Sequence, residues 1–274
     1  NHVNKNNDGI DIDGCHNVRV VNCLIDSSDD ALVLKSEGLR TCEDITITNC
    51  ILSSHATPLK CGTGSLGGFK RITISNIVIR PSKSEIMMHP LNAWGGLSGI
   101  DLLCVDGGEM EDILINNVVM DSVETPVFIK LGNRHDTWPG KAEASQGSIR
   151  NIMISNVTAR ESGSISSAIT GYPGNRVKNV QLSDIYISVR GVADLADTTT
   201  NVRENAGGYP FNRMFGSNLP SYGFFVRHAE NIVFDRVTLV TKGKEVRPAI
   251  YLEDVLHVEL DDVNAEAPDS QQPK

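Results

Sequence analysis

Asp44-Ile45-Thr46-Ile47-Thr48-Asn49-Cys50 and Arg71-Ile72-Thr73-Ile74-Ser75-Asn76-Ile77 are one pattern written twice, 27 residues apart. Apolar residues alternate with small polar ones, an Asn follows, and a further apolar residue closes the unit. A period of two over this length reads as a strand with one buried face. The pattern recurs at residues 17–23, 112–118, 151–157, 179–185, 231–237 and 257–263, which makes eight copies. Its turn position runs Asn22, Asn49, Asn76, Asn117, Asn156, Asp184, Arg236, Asp262, with Arg236 the odd member. A second short strand follows in most copies, as in Ala31-Leu32-Val33-Leu34, Ile100-Asp101-Leu102-Leu103 and Val127-Phe128-Ile129. Several strands per turn of 22 to 28 residues, without a helical period, predict a right-handed parallel β-helix of about eight coils. Asn side chains stacked at a turn would hydrogen-bond from coil to coil and satisfy backbone groups inside the stack. A propeller blade needs about 40 residues and a leucine-rich repeat needs a Leu-dominated unit, so neither fits as well.

Composition agrees with this. Of 274 residues 40% are apolar and only 5% aromatic, a mixture that suits short strands and tight turns. The formal net charge of −9 argues against a general nucleic-acid binder. No apolar run is long enough for a transmembrane helix. Residues 1–266 read as one β-helix domain and 267–274 as a disordered tail. The start, Asn1-His2-Val3-Asn4-Lys5, is no signal peptide and reads as the middle of a coil, so a fragment of a longer protein is expected. Cys15 aligns with Cys42 and Cys23 with Cys50. That spacing gives a stack of reduced thiols or, in an oxidising compartment, disulfides between coils.

Chemistry concentrates near the N-terminus. Asp8-Gly9-Ile10-Asp11-Ile12-Asp13 matches Asp30-Ala31-Leu32-Val33-Leu34-Lys35 position for position, 22 residues on, and His55-Ala56-Thr57-Pro58-Leu59-Lys60 reads as a third copy. Stacked as coils, these segments put Asp8, Asp30 and His55 in one column, with Asp29 beside it. Carboxylates and an imidazole on one face suit general acid/base work; the competing reading is a set of solvated turn aspartates. Five positions beyond the column come Asp13, Lys35 and Lys60, and the strand Thr125-Pro126-Val127-Phe128-Ile129-Lys130 adds Lys130. Insertions at residues 82–99, 132–147 and 191–222 interrupt the repeat. Loops of that length on a solenoid often wall a binding cleft.

These residues resemble the polygalacturonase-like glycoside hydrolases of family 28. Asn7-Asp8-Gly9-Ile10-Asp11 is similar to the family's Asn-Thr-Asp-Gly motif, Asp29-Asp30 to its Asp-Asp motif, and Ser54-His55-Ala56 to its Gly-His-Gly motif. The chain resembles a bacterial branch lacking the N-terminal coils. Asn7 replaces Thr, His55 lacks its flanking glycines, and the strand Gly99-Ile100-Asp101-Leu102-Leu103 carries neither basic residue of the family's Arg-x-Lys motif. The resemblance implies hydrolysis of a galacturonate-containing polysaccharide such as pectin, polygalacturonate or rhamnogalacturonan. Asp29 would be the general acid, Asp8 and Asp30 would activate water, His55 would tune the acid, and the mechanism would be inverting. Asn7, Lys60, Lys130, Arg134 and His135 are the expected substrate-binding residues. No metal or cofactor is expected, and the implied protein is a secreted or periplasmic monomer without nucleic-acid or membrane partners. Two alternatives stand. One is a β-helix polysaccharide lyase with calcium on Asp8, Asp11, Asp29 and Asp30; the other is a non-catalytic, truncated relative.

Overall fold

The computed structural model describes residues 4–83, 96–134 and 145–267. His135 and most of the first two insertions fall outside that range, as does the tail from residue 268. In chain order the strands are β1 Ile10–Asp13, β2 His16–Val21, β3 Leu24–Ser27, β4 Leu32–Ser36, β5 Cys42–Ser54, β6 Leu59–Ser65, β7 Phe69–Arg80 and β8 Ser98–Cys104. They continue as β9 Glu109–Asp121, β10 Thr125–Leu131, β11 Ser148–Ser162, β12 Ser167–Thr170, β13 Val177–Val189, β14 Phe224–Thr241 and β15 Ile250–Glu266. One ladder runs β1-β4-β6-β8-β10-β12-β14 and the other β2-β5-β7-β9-β11-β13-β14, with β3 on β5 and β15 on β14. Every one of these pairings is parallel. The chain is a parallel β-helix.

Each long strand bends at its polar turn residue. Asn22, Asn49, Asn76, Asn117, Asn156, Asp184, Arg236 and Asp262 all have φ between 51° and 59°. A second set of corners opens each copy: Asn17, Asp44, Arg71, Asp112, Asn151, Asn179, Asn231 and His257, with φ of 51° to 59°. Asn and Asp tolerate this left-handed region better than most residues. The amides then bond between coils: Asn76 Nδ2 donates to Asn49 Oδ1 (3.0 Å), Asn117 Nδ2 to Asn76 Oδ1 (3.1 Å) and Asn179 Nδ2 to Asn151 Oδ1 (3.0 Å). The odd members continue the ladder by other means. Arg236 Nε donates to Asp184 Oδ1 (2.7 Å) and Arg71 Nε to Asp44 Oδ1 (2.6 Å).

Between corners the alternation fills the core. Ile45, Ile47, Ile72, Ile74, Ile113 and Ile115 are all buried and lie in register. The cysteines join this stack as free thiols, Cys42 and Cys50 buried and Cys15 exposed.

The register corrects one expectation. Asp8 does stack beneath Asp30, since Ile10 pairs with Leu32 and the Gly9 N–H bonds Asp30 O at 2.9 Å. In the next coil, however, Leu32 pairs with Leu59 and Val33 with Lys60. Ser27 pairs with Ser54, so Thr57 follows Asp30 and His55 follows Ser28. A two-residue slip keeps every side chain on its own face, so alternation alone does not distinguish the two registers. The packing of Leu32 and Leu34 on Leu59 and Cys61 selects the observed one.

The outward face of the first ladder splits into two halves. Toward the later coils, Phe128, Ala168 and Phe225 are covered by Val202, Phe215 and Leu219 of the 191–222 insertion, which forms a satellite core. Toward the early coils the same face is open.

Candidate active site

The open half forms a cleft of about 900 Å³. Its floor is the outer side of the first four coils and its far wall is Tyr209-Pro210-Phe211-Asn212-Arg213. The wall is fastened by buried Glu124, whose Oε2 accepts from Asn212 Nδ2 (2.7 Å) and Arg213 Nε (3.1 Å). Tyr209 and Phe211 stay exposed and offer aromatic faces to the cleft.

Asp8, Asp29 and Asp30 meet at one end, with one carboxylate oxygen from each within 4.8 Å of the others. Backbone packing forces this proximity. A Cβ on Gly9 would sit 2.4 Å from Ala31 O and 2.3 Å from Ile25 Cγ2, so the first two coils close only over a glycine. Asp29 is held by its own main chain: its N–H donates to Asn7 O (3.4 Å), and its carbonyl accepts from the hydroxyls of Ser27 (2.9 Å) and Ser54.

The three carboxyls differ in their partners. Asp8 Oδ2 accepts from Lys35 Nζ at 2.9 Å, and Lys35 also reaches Asp11 at 2.8 Å. Asp30 is almost fully buried; its Oδ2 accepts from Lys60 Nζ at 2.7 Å and its Oδ1 from the Thr57 N–H at 3.0 Å. Burial pushes the Asp30 carboxyl up, while Lys60 draws it back. Among the described residues no cation is paired with Asp29. Burial, then the charges of Asp30 and Asp8, push its carboxyl up to about 6. Crowded carboxylates of which two are neutralised and one is not divide naturally into two bases and one proton carrier. The same three oxygens could also seat a hard cation such as calcium.

The other expected site residues are placed unevenly. Asn7 and Lys60 line the cleft. His55 is buried and absent from the lining, behind the turn that carries Thr57. Lys130 does not reach the cleft at all. Its strand lies under the 191–222 insertion, where Nζ sits 5.2 Å from the Phe215 ring centre and donates to Gly171 O at 3.3 Å. Burial, aided by Arg227, lowers its ammonium to about 7. Arg134 is also off the lining, for it grips buried Asp106 with two bonds of 2.8 and 2.7 Å and stands behind the Tyr209 ring.

Residue Asp101, not among the expected site residues, completes the floor. Register places it beside Lys60 in the next coil. It is buried, its Oδ2 accepts from Thr57 Oγ1 at 2.9 Å, and burial lifts its carboxyl to about 6 against the pull of Lys60.

Residues 1–208, three-quarters of the chain, match the family model described as "Glycosyl hydrolases family 28". The chain belongs to glycoside hydrolase family 28. No curated protein matches it. The family match takes in the cleft floor and ends one residue before Tyr209, so the far wall of this family 28 cleft lies beyond the matched span.

Proposed function

We propose that this family 28 chain is a glycosidase that cleaves a polysaccharide by acid/base catalysis with Asp29 as general acid. Galacturonate-containing glycans are the substrate class the family resemblance suggests, and a secreted or periplasmic location would follow from it. The observation that carries the reading is the unequal pairing of the three carboxyls. Asp8 and Asp30 are ion-paired with Lys35 and Lys60, while Asp29 has no such cation among the described residues and, lifted to about 6, retains a proton at mildly acidic pH.

In the proposed reaction Asp29 delivers that proton to the leaving glycosidic oxygen as the bond to the anomeric carbon breaks. Asp8 and Asp30 hold a water on the opposite side and take its proton as it attacks, which inverts the anomeric centre. An inverting pair usually stands about 6.5–9.5 Å apart, whereas the nearest carboxylate oxygens here lie within 4.8 Å. The reading therefore requires Asp29 to turn toward the sugar when substrate enters.

The test is digestion of polygalacturonate and rhamnogalacturonan in the presence of a chelator, with the anomer released followed by proton NMR. Inverted reducing ends, lost in Asp29→Asn, support the assignment. Unchanged activity in Asp29→Asn refutes it. Products absorbing in the ultraviolet and formed only without chelator would mean a calcium-dependent lyase using the same three oxygens.

A further inference from the structure

We propose that Asp101 is a specificity-determining residue and that its part of the cleft seats an uncharged sugar through its hydroxyls, excluding a uronate. The position of this subsite rests on the hydrolase reading of the cleft, but its chemistry stands on separate observations.

The first is a set of unsatisfied polar atoms. Asp101 Oδ1, Ser98 Oγ and Asn212 Oδ1 are buried and all three residues line the cleft; Ser98 and Asp101 lie close enough to interact with each other, but none of the three atoms has a hydrogen bond of good geometry. The Asn212 amide is oriented by its other end, since Nδ2 already donates to Leu97 O (2.8 Å) and Glu124 Oε2 (2.7 Å). That leaves its oxygen, Oδ1, as an acceptor without a partner. Two of the three free atoms are acceptors only and the third, a hydroxyl, can act either way. Leaving such groups buried and unpaired is costly. Each sugar hydroxyl supplies one donor and an acceptor, so two neighbouring hydroxyls can satisfy all three. A carboxylate supplies no donor.

The second observation is charge. Among the described residues the cations on the lining are Lys35, Lys60 and Arg213, and each is already ion-paired, with Asp8 and Asp11, with Asp30, and with Glu124 respectively. A uronate placed over Asp101 would meet a carboxyl and no uncommitted cation among these residues. It would either be repelled or force Asp101 to take up a proton.

The probe is a matched pair: tetragalacturonate and the same tetrasaccharide after reduction of its carboxyls to hydroxymethyl groups. Binding is measured by titration calorimetry at pH 7 to Asp29→Asn, which prevents turnover. The reduced form is expected to bind at least about tenfold tighter. Asp101→Asn, on the same background, keeps an acceptor but removes the charge, and the preference should shrink toward unity. Ser98→Ala should weaken the reduced ligand about three- to tenfold, in line with one lost hydrogen bond. Thermal melts establish that both variants are folded. Tighter or equal binding of the acid form, no binding of the reduced form, or an unchanged preference in Asp101→Asn would each overturn the proposal. Should the unmodified chain cleave neither polymer while the binding preference persists, the hydrolase reading would fall and this one would stand.

Discussion

Lys60→Met tests the electrostatics of the cleft floor. The Lys60–Asp30 bond is 2.7 Å long between side chains only 10% and 6% exposed, so water screens it little. Methionine keeps the stem and removes the charge, leaving Asp30 buried with the Thr57 N–H and without its cation. Breaking a buried pair on one side typically costs about 3–5 kcal/mol. For a chain of this size that is a loss of about 10 °C in Tm. The sign with pH is definite. Asp30 already has a raised carboxyl, and losing Lys60 raises it further. A group whose folded pKa exceeds its unfolded value, about 3.9 for Asp, destabilises increasingly as pH climbs between the two. The penalty should therefore grow with rising pH and shrink toward pH 4, as Asp30 takes up a proton instead of remaining a stranded anion. Melting curves from pH 4 to 8 for wild type, Lys60→Met and Lys60→Met/Asp30→Asn measure this. The double variant should recover most of the loss at pH 7.5. A loss independent of pH, or one the double variant does not recover, would show that Lys60 acts through packing of its stem, and the charge argument would be wrong.

Three further outcomes follow from the geometry. If Asp29 must be protonated to act, kcat/KM should fall above about pH 6, its raised pKa, while Asp29→Asn should lose about 10²–10⁴-fold in kcat at the optimum. Glu124→Ala should free Asn212 and Arg213 and loosen the far wall, raising KM more than it lowers kcat; equal effects on both would show that the wall acts in the chemical step. Gly9→Ala should destabilise by about 1–3 kcal/mol, because its Cβ would meet Ile25 and the Ala31 carbonyl, and a wild-type urea midpoint would refute that close approach.

The sequence makes some of this plain and hides the rest for physical reasons. The Asn column is legible because a left-handed corner selects for a short amide or carboxylate side chain, and the selection repeats in every coil. The stacking of Asp8 on Asp30 is legible because both precede inward-facing runs of similar pattern. His55 is misplaced by two residues because period two carries no information about even slips. Lys130 looks like a cleft lysine only while its own strand is considered. What buries it is Phe215, 85 residues later, and no local pattern announces that return. Asp101 does leave a signal. A carboxylate set in Ile100-Asp101-Leu102-Leu103 is out of place in an otherwise apolar strand, and such a break in local consistency often marks a functional position.

The two left-handed corners of each coil also behave as indexing pins. Successive turn residues are 27, 27, 41, 39, 28, 52 and 26 positions apart, yet the strands between them stay in parallel register, with one shift between Ala159 and Ser162 where β11 pairs with β13. Surplus chain is shed sideways between pins instead of being passed on to the next coil. The cleft wall is made of such surplus, so its exposed tip at Tyr209–Phe211 can be re-cut for a different sugar without disturbing the floor. The freedom stops at Asn212 and Arg213, which are held by Glu124, and at Val202, Phe215 and Leu219, which roof the later coils and tie any redesign of the tip to the same anchors.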